Sequence, residues 1–423
     1  MKVFILFIIL LFYCAFASAS ELSNYEKIKC VIHIHTDISS GQRTLESYVK
    51  EAREKGIGAI VVTDEDWRRW EYGLPPFRRL IKKTVQRKSV MTFGIKRYLD
   101  LIKDLNEKYS DVVVIEGIQT NPFYYWSGNF LTNTLTLNNR NKDMLVLGFN
   151  NADDYNNMPL VTTHKSKYDA YQGDKFTMPY QDLIDYVARK DGLIFWSHPE
   201  IEENTVLDRV RLITVPYHGD LVGTYAYTGF AIFWEGYKKV GRPLGIWDRV
   251  LSEYCQGKRN TSIWAIGELE EEGLDRVNLK DVVNVVYVKK LDRQQILNAL
   301  KKGRFYAALN LFDRVPLVLD EFTVSDESGS NFATMGEEVS FAGDPVIKIK
   351  ITHEQPSDMS IVVKLIRNNK VIEEFKGESK IDIRYIDEGL PSGNKYYYRI
   401  DVVDGSSSQL IANPIFFRKI IKR

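Results

Sequence analysis

The chain has 423 residues, which is too long for one ordinary hydrophobic core and favours two domains. Lys plus Arg (57) and Asp plus Glu (56) nearly cancel, leaving a formal net charge of +1 at pH 7. This balance excludes recognition of nucleic acid or an anionic surface through a global field, so a charged partner has to be recognised by a local patch.

The first 19 residues are predicted to be a signal peptide. Lys2 provides a positive start, residues 3–12 are all apolar, and Ala17-Ser18-Ala19 resembles a signal-peptidase cleavage site. The apolar run is too short to span a bilayer. We therefore expect a secreted or periplasmic protein with no stable membrane anchor after cleavage, and the alternative is an uncleaved anchor.

Signal cleavage would leave two cysteines, Cys30 and Cys255, in an oxidising compartment where disulfides are allowed. Cys30 opens an apparent buried strand, and Cys255 ends an amphipathic helix. The sequence alone does not place the two within bonding distance, so no pairing is predicted.

From Cys30 to Leu311, short β-rich apolar runs alternate with stretches of helical period. The first unit has a strand over 30–35, a helix with Thr44 as its N-cap and Gly56 as its end, and a second strand over 59–63. Further strands are predicted at 112–115, 144–148, 193–196, 212–215, 262–266 and 282–288, and helices at 180–190, 230–240 and 293–302.

Seven or eight strands in this alternation favour a closed (β/α) barrel, assigned to residues 20–315, over the alternative of an open doubly wound sheet. After about Pro316 the helical period disappears. Alternating strands are predicted at 346–351 and 396–402, with turns at 368–369 and 392–394. Residues 316–423 are therefore predicted to be a β-sandwich domain.

Polar residues follow several predicted barrel strands, at the end where parallel barrels carry their reaction face. They are His33, His35, Asp64, Glu65, Asp66, Glu116, Gln119, His198, Glu268, Glu270, Glu271 and Glu272. Crowded carboxylates repel one another, and a bound divalent cation would offset that repulsion. Imidazoles together with carboxylates suit Zn, Mn or Fe better than Ca. The alternative is a pair of ordinary buried imidazoles and a solvated acidic loop.

A basic and aromatic segment follows the second strand. Its members are Arg68, Arg69, Arg78, Arg79, Lys82, Lys83, Arg87 and Lys88, interleaved with Trp67, Trp70, Tyr72 and Phe77. Arginines in such a loop can hold a phosphate or another anion, and aromatic rings can stack on a ligand ring. Arg68 and Arg69 are the predicted substrate contacts; a solvated loop is the alternative.

The motifs resemble those of the PHP (polymerase and histidinol phosphatase) superfamily. Residues 33–41 (HIHTDISSG) are similar to its first motif, followed by 62–65 (VTDE), 117–119 (GIQ), 195–199 (FWSHP) and 267–272 (GELEEE). The resemblance covers the whole predicted barrel. It implies a distorted (β/α)7 TIM-like barrel that binds up to three divalent metals, which activate a water for attack on a phosphoester.

Carried over residue by residue, the resemblance implies that His33, His35 and His198 are metal ligands. The departures are Ser40 for an Asp or His, Glu65 for a His, Gln119 for a bridging Glu, Asn138 for a His, and Glu270 and Glu272 for an Asp and a His. A neutral amide cannot offset the repulsion between two cations that share it. A trinuclear cluster is therefore not expected, and one or two ions would rest mainly on His33, His35, His198 and Glu270.

Two functions follow from this set. In the first, an exported hydrolase cleaves a small anionic or phosphorylated ligand through a metal-activated water, with Asp64, Glu65 or Glu272 as base or second ligand. In the second, a PHP-fold protein that has lost its cluster, and has no metal, binds a ligand or partner without catalysis. Gln119 and Asn138 favour the second function, and the retained histidines favour the first.

Overall fold

The computed structural model describes residues 25–78, 80–270, 278–310 and 314–421. The predicted signal peptide, Arg79 and Glu272 lie outside the described residues. No helix within the described ranges is both long enough and apolar enough to cross a membrane.

The described residues form a mixed α/β protein. Its helices are α1 (Leu45–Glu54), α2 (Val90–Phe93), α3 (Ile95–Lys108), α4 (Ala152–Asn156), α5 (Met178–Arg189), α6 (Asp220–Gly223), α7 (Ile246–Cys255) and α8 (Arg293–Lys302). The strands up to the predicted domain boundary are β1 (Glu26–Ile34), β2 (Ala59–Val62), β3 (Arg69–Gly73), β4 (Lys82–Gln86), β5 (Val113–Thr120), β6 (Tyr125–Ser127), β7 (Thr136–Asn138), β8 (Met144–Leu147), β9 (Leu193–Trp196), β10 (Glu203–Leu207), β11 (Val210–Thr214), β12 (Gly229–Phe233), β13 (Trp264–Gly267), β14 (Val282–Val288) and β15 (Phe305–Leu309). The later strands are β16 (Leu317–Ser325), β17 (Phe332–Ala333), β18 (Glu338–Phe341), β19 (Val346–His353), β20 (Ser360–Arg367), β21 (Lys370–Glu378), β22 (Ile381–Ile386), β23 (Lys395–Asp404), β24 (Gln409–Ala412) and β25 (Ile415–Lys419).

The first β–α–β unit forms as the sequence predicts. The Thr44 side chain accepts a hydrogen bond from the Ser47 N–H, which satisfies one of the free donors at the start of α1. The buried side of α1 includes Leu45, Tyr48 and Val49, which recur at helical spacing. Gly56 follows the helix with a φ of 68°, a left-handed conformation that favours glycine. β1 and β2 then pair in parallel, so their carboxyl ends share one edge.

The main sheet has the order β13-β12-β9-β8-β5-β2-β1-β14-β15-β24-β23-β20-β21. Pairing is parallel for β1–β2, β2–β5, β9–β12 and β12–β13, but β8 runs antiparallel to both β5 and β9. The chain between β5 and β8 contains the short strands β6 and β7, and antiparallel neighbours need no crossover helix. The sheet is therefore mixed.

The predicted closed TIM-like barrel is not confirmed. Within the described ranges no strand ladder joins β13 to β1, so the sheet stays open at that seam. Two local contacts nevertheless bring the edge strand β13 beside β1 and β14: the Leu269 N–H donates to the Ile32 carbonyl at 2.9 Å, and Asn284 on β14 bonds both backbone groups of Gly267. The carboxyl ends of β1 and β13 are consequently neighbours.

The predicted helix at 230–240 is wrong. Residues 229–233 form β12, whose five residues are all buried, and a π-helical turn covers Tyr237–Gly241. A strand buried on both faces has a continuous apolar run that periodicity cannot distinguish from a buried helix. The predicted strand at 212–215 overlaps β11, which belongs to a separate four-stranded sheet of order β10-β11-β7-β6.

The predicted β-sandwich is also not confirmed. β16, β17, β19 and β22 form one sheet, but β20, β21, β23 and β24 continue the main sheet through pairing of β24 with β15. The predicted turn at Asn368 and Asn369 is confirmed between β20 and β21, with φ values of 43° and 62°. The predicted domain boundary falls between β15 and β16 and stays a prediction.

A buried ion pair fastens the C-terminal strands to the N-terminal part. The Arg399 guanidinium on β23 donates two 2.7 Å hydrogen bonds to the Asp248 carboxylate on α7, and both side chains are fully buried. The Tyr397 hydroxyl donates to the same carboxylate, and the guanidinium lies over the Trp247 ring at 4.5 Å. Removing one partner would leave a buried charge uncompensated.

We expect Arg399→Met to lower the free energy of unfolding by about 3–5 kcal/mol, because Asp248 would then be a buried unpaired carboxylate. The double variant Asp248→Leu/Arg399→Met should lose less than the single variant. Urea denaturation followed by circular dichroism measures both. Lys376→Met, which removes an exposed pair with Glu374, is the control and should change stability by less than about 1 kcal/mol. A single variant as stable as the control would contradict this prediction.

Candidate metal centre

His33 and His35 lie at the carboxyl end of β1, where the strand contains a bulge. Ile32 pairs with Val61 and Ile34 with Val62, so His33 is one extra residue in β1. Its φ is 74°, a left-handed conformation that costs free energy for a residue with a β-carbon. The two imidazoles converge, with their Nε2 atoms 3.0 Å apart. The strain therefore lies at the candidate site.

A buried group of His33, His198 and Glu268 forms the innermost part of the site. Each residue offers one potential ligand atom, and these atoms all lie within 4.8 Å of one another. The Glu268 carboxylate lies 2.8 Å from His33 Nδ1 and accepts hydrogen bonds from the Ser197 hydroxyl and the His198 N–H. Burial opposes ionisation of Glu268, but the neighbouring His33 outweighs it and lowers the pKa of the carboxyl. Glu268 is therefore an ionised, preorganised oxygen donor.

His35 and Gln119 extend the group toward solvent. The Gln119 Oε1 atom is 3.1 Å from His33 Nε2, and His35 Nδ1 is 2.6 Å from the Ser40 hydroxyl. Burial lowers the pKa of His35 to about 4, so its imidazole is neutral at pH 7 and can act as a nitrogen ligand. Glu65 lies 3.6 Å from the same imidazole.

Asp143 lies next to both Gln119 and His198. Its Oδ2 accepts a hydrogen bond from the Gln119 amide at 2.9 Å and lies 3.4 Å from His198 Nε2. Burial opposes protonation of His198, but the hydrogen bond to Asp143 and the charge of Glu268 outweigh it and raise the pKa of His198 to about 10. In the absence of a metal ion, His198 is thus held as a cation by surrounding carboxylates.

The candidate base residues have different surroundings. Asp64 is buried and accepts hydrogen bonds from the Thr36 N–H and hydroxyl and from the Ser39 hydroxyl, and burial raises its pKa to about 6. Glu65 instead lines the cavity in front of the histidines, where it pairs with Arg68 at 3.0 Å. Glu65 is therefore accessible to a ligand, whereas Asp64 organises the loop after β1.

The remaining predicted residues are not all brought together. Glu270 lines the cavity, 3.8 Å from His198, with 39% of its side chain exposed. Asn138 lies in β7, where its amide donates to the Tyr125 carbonyl and the Ser127 hydroxyl, apart from the histidines. Arg69 pairs with Glu71 at 3.4 Å, and unlike Arg68 it does not line the cavity. The roles of all these residues stay predictions.

The cavity in front of the buried group has a volume of about 220 Å³ and mostly polar walls. Its lining includes His35, Glu65, Asp66, Arg68, Gln119, Asn121, Arg140, Asp143, His198 and Glu270. Imidazole, carboxylate and guanidinium groups on one small surface can hold a cation and an anion side by side.

The sequence patterns do not indicate Asp143, and they place Glu268 in the polar set at the strand ends without assigning it as a metal ligand. Asp143 precedes β8, and because β8 runs antiparallel, the start of this strand lies at the same edge as the ends of its parallel neighbours. Glu268 stands in the last quoted motif, two residues before Glu270. The burial of Glu268, which distinguishes it from Glu270, is a property of the folded chain.

Residues 32–226 match the family model of the PHP domain, which confirms the resemblance predicted from the motifs. Among solved structures, the chain is similar to a two-domain protein from Bacteroides vulgatus that contains a predicted PHP-like metal-dependent phosphoesterase, with 14% identity, 89% of this chain and 91% of that chain covered, and a TM-score of 0.39. It is also similar to a candidate metal-dependent phosphoesterase from Bifidobacterium adolescentis, with 11% identity, coverage of 58% and 87%, and a TM-score of 0.29. No curated protein matches.

The donor set fits a divalent metal ion. His33, His198 and Glu268 supply two imidazole nitrogens and one ionised oxygen, the mixture that Zn, Mn and Fe accept. His35 and Asp143 lie beside them as further donors. The PHP domain and this geometry together support a divalent metal, without fixing its identity or number.

We expect the protein to retain about one equivalent of Zn or Mn after desalting, and Glu268→Gln to weaken binding by at least about 10–100-fold, because the buried charge is lost. Glu270→Gln, the matched control two residues away, should weaken it less than about 10-fold. Chelator competition with elemental analysis measures both affinities. If Glu270→Gln abolished binding and Glu268→Gln did not, the buried group would not be the metal centre.

Proposed function

We propose that the protein is an exported metal-dependent hydrolase of phosphoesters. The observation that carries this proposal is the buried group of His33, Glu268 and His198, whose member His198 lines a cavity that Arg68 also lines. The PHP domain over residues 32–226 supports the reaction class. Export rests on the signal-like N-terminal residues.

In this proposal His33, His198 and Glu268 hold the metal, with His35 and Asp143 beside it. When bound, a divalent ion acts as a Lewis acid that lowers the pKa of water and neutralises charge developing at phosphorus. Side chains of the protein orient the substrate. Arg68, on the cavity wall, donates to phosphate oxygens, and guanidinium groups suit phosphate because their donors are planar and paired.

Glu65 is our candidate base. Burial opposes ionisation of Glu65, but the Arg68 guanidinium and the hydrogen bond from Ser40 help to lower its pKa, and the carboxylate lies on the cavity wall. The oxygen of a water attacks phosphorus, the bond from phosphorus to the ester oxygen breaks, and Glu65 accepts the proton that the water loses. The ester oxygen takes a proton from solvent in the cavity. The products are an alcohol and phosphate.

The second candidate is a binding module without catalysis. It is favoured by Gln119, whose amide is fixed between Asp143 and His33 at the position where the resemblance implies a bridging carboxylate. A neutral bridge does not support a second ion beside the first. This candidate retains the polar cavity and Arg68, so it predicts anion binding without turnover.

We expect the Mn- or Zn-loaded protein to hydrolyse an aryl phosphomonoester, and His33→Ala to lower kcat/KM by about 10²–10⁴-fold. The loss of several kcal/mol of charge stabilisation corresponds to this range, since about 1.4 kcal/mol is a factor of ten. Release of nitrophenol from p-nitrophenyl phosphate and from its bis ester measures the rate.

His353→Ala is the matched control, because this imidazole lies on β19 and contacts Ser379 and Asp404 in the C-terminal part. It should leave kcat/KM unchanged within about twofold. Binding of phosphate to a metal-loaded protein that hydrolyses no ester would favour the binding module. Equal activity of His33→Ala and His353→Ala would contradict the proposed centre.

A further inference from the structure

An apolar groove lies beside the metal cavity and has no role in the proposed chemistry. It has a volume of about 390 Å³ and lies between the β3–β4 hairpin and the β10-β11-β7-β6 sheet. Leu135, Leu137 and Leu212 are buried at its base, and Trp70 and Trp126 contribute aromatic walls. Pockets of this size and composition bind small apolar ligands or parts of them.

The apolar groove adjoins the metal cavity. Trp70 and Arg140 line both spaces. These two side chains therefore lie where the two spaces adjoin, and a ligand that occupied both would contact them. The polar space and the apolar space are neighbours on the same side of the protein.

The charged residues that line the apolar groove are mostly basic. Lys82, Lys83, Arg87 and Arg140 contribute to its lining, against one acidic residue, Asp208. Lys82 pairs with Glu71 and Arg140 with Glu203, but within the described ranges the side chains of Lys83 and Arg87 form no ion pair. The positive charge of these lining residues is complementary to an anionic head group.

Exposed apolar side chains are concentrated on the chain segments that form the groove, and five of them line it: Leu74, Ile81, Val85, Phe130 and Leu207. Nine of the nineteen large hydrophobic residues exposed in the described chain lie on three neighbouring segments, at residues 74–85, 130–131 and 206–207. Leu80 and Leu131 are 82% and 83% exposed. Such a concentration marks an interaction site for an apolar partner.

We propose that the apolar groove holds the hydrocarbon chain of an amphiphilic phosphoester, such as an alkyl or acylglycerol phosphate, while its phosphate lies in the metal cavity. This inference rests on the proposed function and names its substrate class. A nucleobase fits less well, because base recognition needs hydrogen-bonding groups at the edges of the ring, whereas twelve of the seventeen lining residues are aliphatic or aromatic.

The test is the dependence of binding and turnover on chain length. We expect the Kd for butyl-, hexyl- and octylphosphonate, measured by calorimetry below their micelle-forming concentrations, to fall about two- to fourfold per methylene, since each buried methylene contributes that factor. The kcat/KM for the corresponding alkyl phosphates should rise in parallel, because the chain is bound in the transition state as well.

Ile81→Glu places a carboxylate in the groove at a half-exposed position of the hairpin, which limits the risk of unfolding. It should remove the dependence on chain length and leave p-nitrophenyl phosphate hydrolysis unchanged. Ile386→Glu, the same substitution at an exposed position of β22, is the matched control and should retain the dependence.

The outcomes separate this inference from the function on which it rests. Chain-length-dependent phosphonate binding with no ester hydrolysis would support the groove and reject the hydrolase. Hydrolysis at the same kcat/KM from butyl to octyl phosphate, unaffected by Ile81→Glu, would reject the groove and leave the hydrolase standing. A preference for nucleotides over alkyl phosphates would also reject the groove.

Discussion

The arrangement of the site depends on one buried carboxylate, that of Glu268. An ionised carboxylate removed from water is costly unless donors surround it. His33 provides one at the end of β1, and the Ser197 hydroxyl and His198 N–H provide two more just after β9. Glu268 itself follows β13. The Glu268 carboxylate therefore links the ends of β1, β9 and β13 by hydrogen bonds. Among the described strands, β1 and β13 are not paired with each other.

The buried negative charge of Glu268 also affects the protonation of its neighbours. Glu268 and Asp143 together hold His198 protonated in the absence of a metal, with a pKa of about 10. A divalent ion that displaced this proton would be balanced by the same two carboxylates. Gln119, between Asp143 and His33, adds a hydrogen-bonding partner without a further charge. A carboxylate at residue 119 would add a negative charge that the amide of Gln119 lacks.

Local patterns predicted much of the fold, and long-range pairing was the part they missed. Thr44 and the spacing of Leu45, Tyr48 and Val49 identify α1, because caps and helical periodicity are written into neighbouring residues. The apolar run of β12 predicts a helix, because burial on both faces removes the strand alternation. The antiparallel direction of β8 is set by the path of the chain between residues 121 and 143, which contains no local signal of strand direction.

In the candidate site too, local patterns predict some residues and long-range contacts determine the others. His33, His35 and His198 were found because each ends an apolar strand, and they do meet in the structure. Glu268 and Glu270 stand two apart in one motif, and only the fold buries the first and exposes part of the second. The bulge at His33 is likewise invisible in the sequence, because it arises from the register against β2.

The metal cavity and the apolar groove are built by different parts of the chain. The metal donors lie at the ends of main-sheet strands, whereas the apolar groove is formed by the β3–β4 hairpin and the four-stranded side sheet. These segments leave the main sheet after β2, β5 and β9 and return to it. Side chains on such excursions can change without altering the strand ends that hold the donors. The fold thus places the metal donors, which would perform the chemistry, apart from the apolar groove, which would select the substrate. Trp70 and Arg140 line both spaces.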